Sequence, residues 1–216
     1  MKLQARIRHA AKQLIDQLLR ARARLRKERE RRREFARGFK VAENRAPAEA
    51  HRTAIHEAGH AALLVGLGIG CSLVSIVPYL SKGWDGFCVP AGPTAAELNV
   101  MVARDAYCLQ RAMVSYAGAE AVRQLIPTDP NPDAGASTDE RHAAEFIIDG
   151  IDPDTESPEL FFALAKRRCA LLVAHHQPEI RALARALEEK RVLSGKYARK
   201  VVMESLAKRS GKLMTF

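Results

Sequence analysis

The sequence predicts a mainly α (α+β) body with a small β-sheet, preceded by a long basic helix. Three observations carry this. Helical stretches take up most of the chain, only two short segments read as strands, and the excess positive charge is confined to one end. The 216 residues are 47% hydrophobic and 28% charged, with a net charge of +10. That is an ordinary globular composition, and it excludes a collagen-like, low-complexity or wholly disordered chain. Residues 1–45 hold 16 Lys and Arg against 5 Asp and Glu, whereas the remainder holds 19 against 20. The basic character belongs to an arm and linker over 1–45, and the domain over 46–216 is close to neutral.

In chain order, residues 1–39 read as one helix, uninterrupted by Gly or Pro until Gly38. Leu3, Ile7, Ala11, Leu14, Leu18 and Leu25 give it a narrow apolar stripe, which fades as arginine takes over in Arg20–Arg33. This arm suits pairing with another helix, a copy of itself or a partner, ahead of a plain solvated helix, and both ahead of nucleic acid or a membrane surface. Phe35 is its one aromatic before position 39, so base stacking has little support. Gly38 to Pro47 reads as a linker. A second, alanine-rich helix spans Ala48 to about Gly66.

Leu73–Val77 and Gly86–Val89 read as short strands joined by a loop carrying Trp84, a residue better suited to packing than to recognition. Thr94 to Ile126 is helical, with Thr94 and Glu97 spaced as a capping box and a break expected near Gly118. Pro127 to Ala136 is a turn-rich loop. Ser137 and Glu140 make a second capping-box pair opening a helix to about Asp149. Gly150 to Pro158 is a loop before helices near 159–175, 178–190 and 195–208.

Ala61 to Leu80 carries no charge for twenty residues. Gly66, Gly68 and Gly70 interrupt it and Leu73–Val77 alternates Ser with apolar residues, so a buried helix followed by a strand is expected rather than a membrane span. The N-terminus lacks the apolar core of a signal peptide, and the chain reads as soluble and cytoplasmic. Cys71, Cys88, Cys108 and Cys169 form no CxxC pair, and buried reduced thiols are expected.

His56-Glu57-Ala58-Gly59-His60 matches HExxH inside the second helix. A spacing of four places both imidazoles on one helix face, where two neutral nitrogens can bind one metal ion. Glu57 lies beside that face, placed to take a proton from water. A catalytic zinc site has three protein ligands. Leu63 and Gly66 stand where the metzincin extension requires Gly and His, so the third ligand comes from elsewhere. Glu97, Asp105, Glu120, Asp139, His142 and Glu145 all qualify, and spacing does not choose among them.

The segment Thr53-Ala54-Ile55-His56-Glu57-Ala58-Gly59-His60-Ala61 resembles the zinc helix of the FtsH-type ATP-dependent metalloproteases. Val74-Ser75-Ile76-Val77-Pro78 followed by Gly86-Phe87 resembles the strand and edge region after that helix. Tyr116-Ala117-Gly118-Ala119-Glu120-Ala121 resembles the family's Gly-Gly-Arg-Ala-Ala-Glu helix. Gly135-Ala136-Ser137-Thr138-Asp139 resembles its Thr-Gly-Ala-x-Asn-Asp segment, and Ile180–Leu193 with Gly195 resembles its closing helices. The resemblance covers about residues 48–207, in order. It implies a helical zincin-like metallopeptidase domain using Zn²⁺, with His56, His60 and Asp139 as ligands and Glu57 as catalytic base.

Thr138 stands where the family usually has Asn, and Gly118-Ala119 where it has Gly-Arg. No GxxxxGK[ST] occurs, since Gly195-Lys196 and Gly211-Lys212 lack its other residues. The resemblance therefore implies a polypeptide substrate that arrives already unfolded or is unfolded by a separate ATPase partner; a homo-oligomer is the other partner expectation. The competing expectation is a non-catalytic adaptor of the same fold acting through its basic arm.

Overall fold

The computed structural model describes residues 30, 33, 34, 37–42, 44–92, 104–151 and 157–213. The long helix expected over 1–39 and the Thr94–Glu97 capping box lie wholly or mostly outside these residues. At 37–42 the chain is helical, with Ala42 buried. This corrects the expectation of a linker from Gly38. A Cβ at Gly38 would meet the Pro78 carbonyl oxygen at 2.3 Å, so this glycine lets the segment lie directly on the body.

Helix α1, Pro47–Gly66, opens with Pro in its first turn and Glu49 beside it, both suited to a helix N-terminus. From Ala54 to Leu64 only His56 is not fully buried. α1 is thus the central helix. The uncharged stretch breaks as expected, because α1 ends at Gly66 and the chain turns through Gly68 and Gly70 at φ of 77° and 75°. It then enters strand β1, Cys71–Ser75. Among the described residues, no helix is long and apolar enough to cross a membrane.

β1 is the middle strand of a three-stranded antiparallel sheet of order β2-β1-β3. β2 is Phe87–Pro90, with Val74 opposite Cys88, and β3 is Val192–Ser194, with Val74 opposite Leu193. Both expected strands exist, with bounds shifted by one or two residues. β3 carries no sequence signal of its own, being three residues between two helices. It pairs because the left-handed Arg191, φ 62°, turns the chain out of the preceding helix towards β1. The Ile76 N–H then donates to the Arg191 carbonyl at 3.0 Å.

Helix α2, Arg104–Leu125, packs against α1 along small residues, among them Ala112, Ala117 and Ala121. It runs through Gly118 without the expected break. Helix α3, Ser137–Gly150, lies on α2 through Ala143 and Ile147. Its N-cap is Ala136, with no side-chain cap, so Ser137 and Glu140 form no capping box. Turns over 132–136 wind straight into the helix, and Ser137 is already its first residue.

Helix α4, Pro158–His175, packs on α2 with Ala165, Cys169 and Val173 buried one turn apart. Helix α5, Gln177–Lys190, faces α1 with Ile180, Leu183 and Leu187 buried. Helix α6, Gly195–Leu213, closes over α5 and β1. Each fully buried Leu or Ile contributes roughly 1.5–3 kcal/mol, so these helices form one core around α1. The four cysteines are free thiols, three buried and Cys88 half-buried.

Candidate metal centre

The site is built on the one stretch of α1 that faces a cleft. His56 and His60 come together with rings edge to face, centroids 4.8 Å apart. The His60 Nδ1 lies 2.7 Å from the Val114 carbonyl oxygen on α2. A carbonyl only accepts, so Nδ1 carries the proton and Nε2 is directed at the cleft. Asp139, in the first turn of α3, places Oδ2 3.0 Å from His56 Nε2 and 3.4 Å from His60 Nε2. The two Nε2 atoms are 3.2 Å apart.

Three ligands held at 2.0–2.1 Å on one tetrahedral ion would lie about 3.3 Å from each other. The three separations fit that requirement, and the His56–His60–Asp139 group can hold a metal ion. Gly118 supplies the space. A Cβ there would come within 2.5 Å of Nε2 of both histidines, so only glycine leaves the nitrogens open where α2 crosses beneath them.

The electrostatics follow from burial and the one carboxylate. Burial lowers the His56 pKa. Burial also pulls on His60, but the Asp139 charge and hydrogen bond, Glu57 and the Val114 carbonyl outweigh it and raise His60 to about 9. Asp139 would be raised by burial, yet the His60 charge and hydrogen bonds to both imidazoles hold it below the ordinary carboxylate range. It is therefore ionised, as a ligand must be. Glu57, 5% exposed, is raised to about 8 by burial. Its side chain packs on Gly86, where a Cβ would meet its Cγ and Oε1 at 2.8 Å.

Arg52, one turn before His56, sets the position of Asp139. Its Nε donates to Asp129 at 2.9 Å and its Nη2 to the Ala134 carbonyl at 2.7 Å and the Asn131 carbonyl at 3.1 Å. The turn leading into α3 is thereby strapped to α1. Arg45 does the same for the other rim, donating to the Asp85 carboxylate at 3.0 Å and the Thr53 hydroxyl at 3.1 Å. The cleft holds about 440 Å³ and runs between the site helices and β2, an edge strand of the sheet. Trp84 lines it while stacking edge-on against Tyr79, so it both packs and borders the cleft.

Among the described residues, Asp139 alone of the candidate third ligands joins the histidines. Asp105 is exposed at the start of α2, Glu120 is held by Arg123 and Gln124, and Glu145 pairs with Arg141 at 3.8 Å. His142 lines the cleft one turn after Asp139 but stands outside the group. Glu97 lies outside the described residues. Gly118 and Gly86 have no chemistry to announce them, and Arg52 offers only its place one turn before a histidine. No protein-family model and no curated protein matches this chain.

Proposed function

We propose that the chain is a zinc metallopeptidase of the FtsH-type family, an endopeptidase cutting unfolded or accessible polypeptides. One observation carries the reading: two imidazoles, a carboxylate and a buried glutamate converge on the floor of a cleft whose opposite wall is a strand edge with no partner strand among the described residues. A purely structural cluster has no need of the opening that Gly118 preserves.

His56, His60 and Asp139 would hold Zn²⁺, which supplies Lewis acidity and an acidified water. The Val114 carbonyl fixes the His60 tautomer and ring orientation. An extended substrate adds to the outer edge of β2 through its backbone, which presents a peptide bond to the triad without demanding a particular sequence. Glu57 takes a proton at its carboxylate from the attacking water and returns it to the leaving amine. Its carboxyl lies buried against Gly86 in the same cleft, beside the two histidines on α1, where that proton moves.

The test is zinc content and cleavage of unfolded casein by the purified chain. Glu57→Gln should retain the metal and lose at least 100-fold in rate, within the roughly 10²–10⁴ range of general acid–base catalysis. Asp139→Ala should lose metal. Zinc-loaded wild type that leaves casein intact would overturn the assignment.

A further inference from the structure

The cleft is lined by more than the metal ligands, and it carries a further cation. Arg111 lies on α2 seven residues before Gly118, on the same helix face, and lines the same cleft as His56, Glu57 and His60. Its guanidinium lies over the Phe146 ring at 4.5 Å and the Tyr107 ring at 5.9 Å. Nη1 donates to the Tyr107 hydroxyl at 3.1 Å. Its Nε is buried and has no hydrogen-bond partner among the described residues. No carboxylate among the described residues pairs with it, whereas Arg52, the other arginine of the cleft, is tied to Asp129 and backbone carbonyls.

A guanidinium whose Nε is buried without a hydrogen-bond acceptor, and which meets no carboxylate among the described residues, is costly, and aromatic faces recover only part of the loss. The arrangement is nevertheless pre-organised: the ring of Phe146 fixes the plane of the fork, and Tyr107 occupies one of its N–H groups. What remains is donor capacity suited to a planar carboxylate. Seven helical residues place Arg111 about 10 Å from Gly118 along α2. An extended peptide covers that distance in about three residues.

We propose that Arg111 determines specificity by binding a carboxylate of the polypeptide substrate, two or three residues from the bond held at the triad. This rests on the metallopeptidase reading, for which it names a substrate class: extended polypeptides with an acidic side chain, or a free C-terminal carboxylate, at that distance.

The experiment uses the full chain carrying Glu57→Gln, with zinc, so that binding is read without turnover. Short fluorescein-labelled peptides with amidated ends carry one Glu, moved position by position, each matched with a Gln counterpart. A second set lacks acidic side chains and ends in a free carboxylate or an amide. Fluorescence anisotropy should show about tenfold or greater preference for the carboxylate in one register, the scale of a charge-assisted hydrogen bond. The set that shows it names the source of the carboxylate.

Arg111→Met, which keeps the stem over Phe146, should bring the ratio close to one, and Arg111→Lys should retain part of it. Absence of any carboxylate preference in the parent overturns the proposal without recourse to a variant, as does a preference that survives Arg111→Met. Hydrolysis by the unsubstituted chain is measured in parallel on the same peptides. Preference in binding with no hydrolysis would remove the peptidase reading and leave carboxylate recognition standing.

Discussion

Glycine in the middle of a helix costs about 1 kcal/mol relative to alanine, and Gly118 sits in the middle of α2. Its substitution by alanine should therefore favour the helix while damaging the site. A Cβ 2.5 Å from both Nε2 atoms must turn the imidazoles away from Asp139. Gly118→Ala is expected to weaken metal binding about 10- to 100-fold, the scale of disturbed ligand orientation, and to lower the thermal midpoint of the metal-stripped protein at neutral pH, because the lost pairing of His60 with Asp139 outweighs the gain in helix propensity. A zinc competition titration with a melting curve reads both.

The same residues set a pH dependence. His60, raised from 6.5 to about 9, contributes stability that is complete below pH 6.5 and lost as pH rises through about 9. Glu57, raised from 4.5 to about 8, acts in the same direction over pH 4.5 to 8. Asp139 acts oppositely, contributing above 3.8 and losing that contribution only in acid. Metal-stripped protein should melt at progressively lower temperature from pH 6.5 to 9. Zinc affinity should rise over the same window, since binding displaces the His60 proton. A flat affinity profile would show that His60 is not the group being deprotonated. His56, Glu57 and His60 were legible at this scale because helical spacing is written in the sequence. Asp139 was not chosen by spacing, and Gly118 and Arg52 were invisible, because their roles depend on distances between segments far apart in the chain.

At the scale of elements, the α1–α2 crossing determines where both histidines stand. Gly59 lies between them in sequence but faces α2, where an added Cβ would meet the Ala117 carbonyl oxygen at 2.5 Å and the Ala121 Cβ at 2.8 Å. Gly59→Val must push the helices apart, and overpacking of this kind typically costs 1–3 kcal/mol, so about that loss is expected in urea unfolding. Metal binding should fall as well, since the Val114 carbonyl moves with α2. Most helices were legible because their apolar faces repeat at helical spacing and Pro47 and Pro158 mark two of the starts. The misreadings have a common physical origin. Gly118 looked like a break because glycine weakens helices in isolation, but tertiary contacts decide its state here. Ser137 looked like a cap because a serine three residues before a glutamate usually is one; the preceding turns moved the true cap to Ala136. β3 was missed because its pairing with β1 is entirely long-range.

For the whole molecule, the charge division separates a basic arm from a near-neutral body, but the physical junction lies earlier than the linker suggested. Glu34 accepts a 2.7 Å hydrogen bond from the Ser81 N–H, and Gly38 and Ala42 lie against the body. Removing residues 1–29 should leave casein cleavage and the melting temperature nearly unchanged, whereas removing 1–42 should lower the melting temperature by several degrees, an effect of about 1 kcal/mol. Neither form should respond to ATP, because no P-loop sequence occurs in these residues. Folded substrates should resist both, since unfolding one costs about 5–15 kcal/mol. ATP-stimulated degradation of a folded substrate by the pure chain would refute this.

The Arg52 strap and the triad together have a consequence for chain entropy. His56 and Asp139 are 83 residues apart in sequence, and Arg52 reaches Asp129 across 77. A bound ion would act as a cross-link closing a long loop that contains the whole sheet edge and α2. Loops of that length are entropically expensive to close, and the cost grows only slowly with further length. Arg52 bears that cost in advance by holding the same two segments together through an ion pair and hydrogen bonds, without a metal. Metal would therefore enter a ring already closed, and could leave again without releasing it.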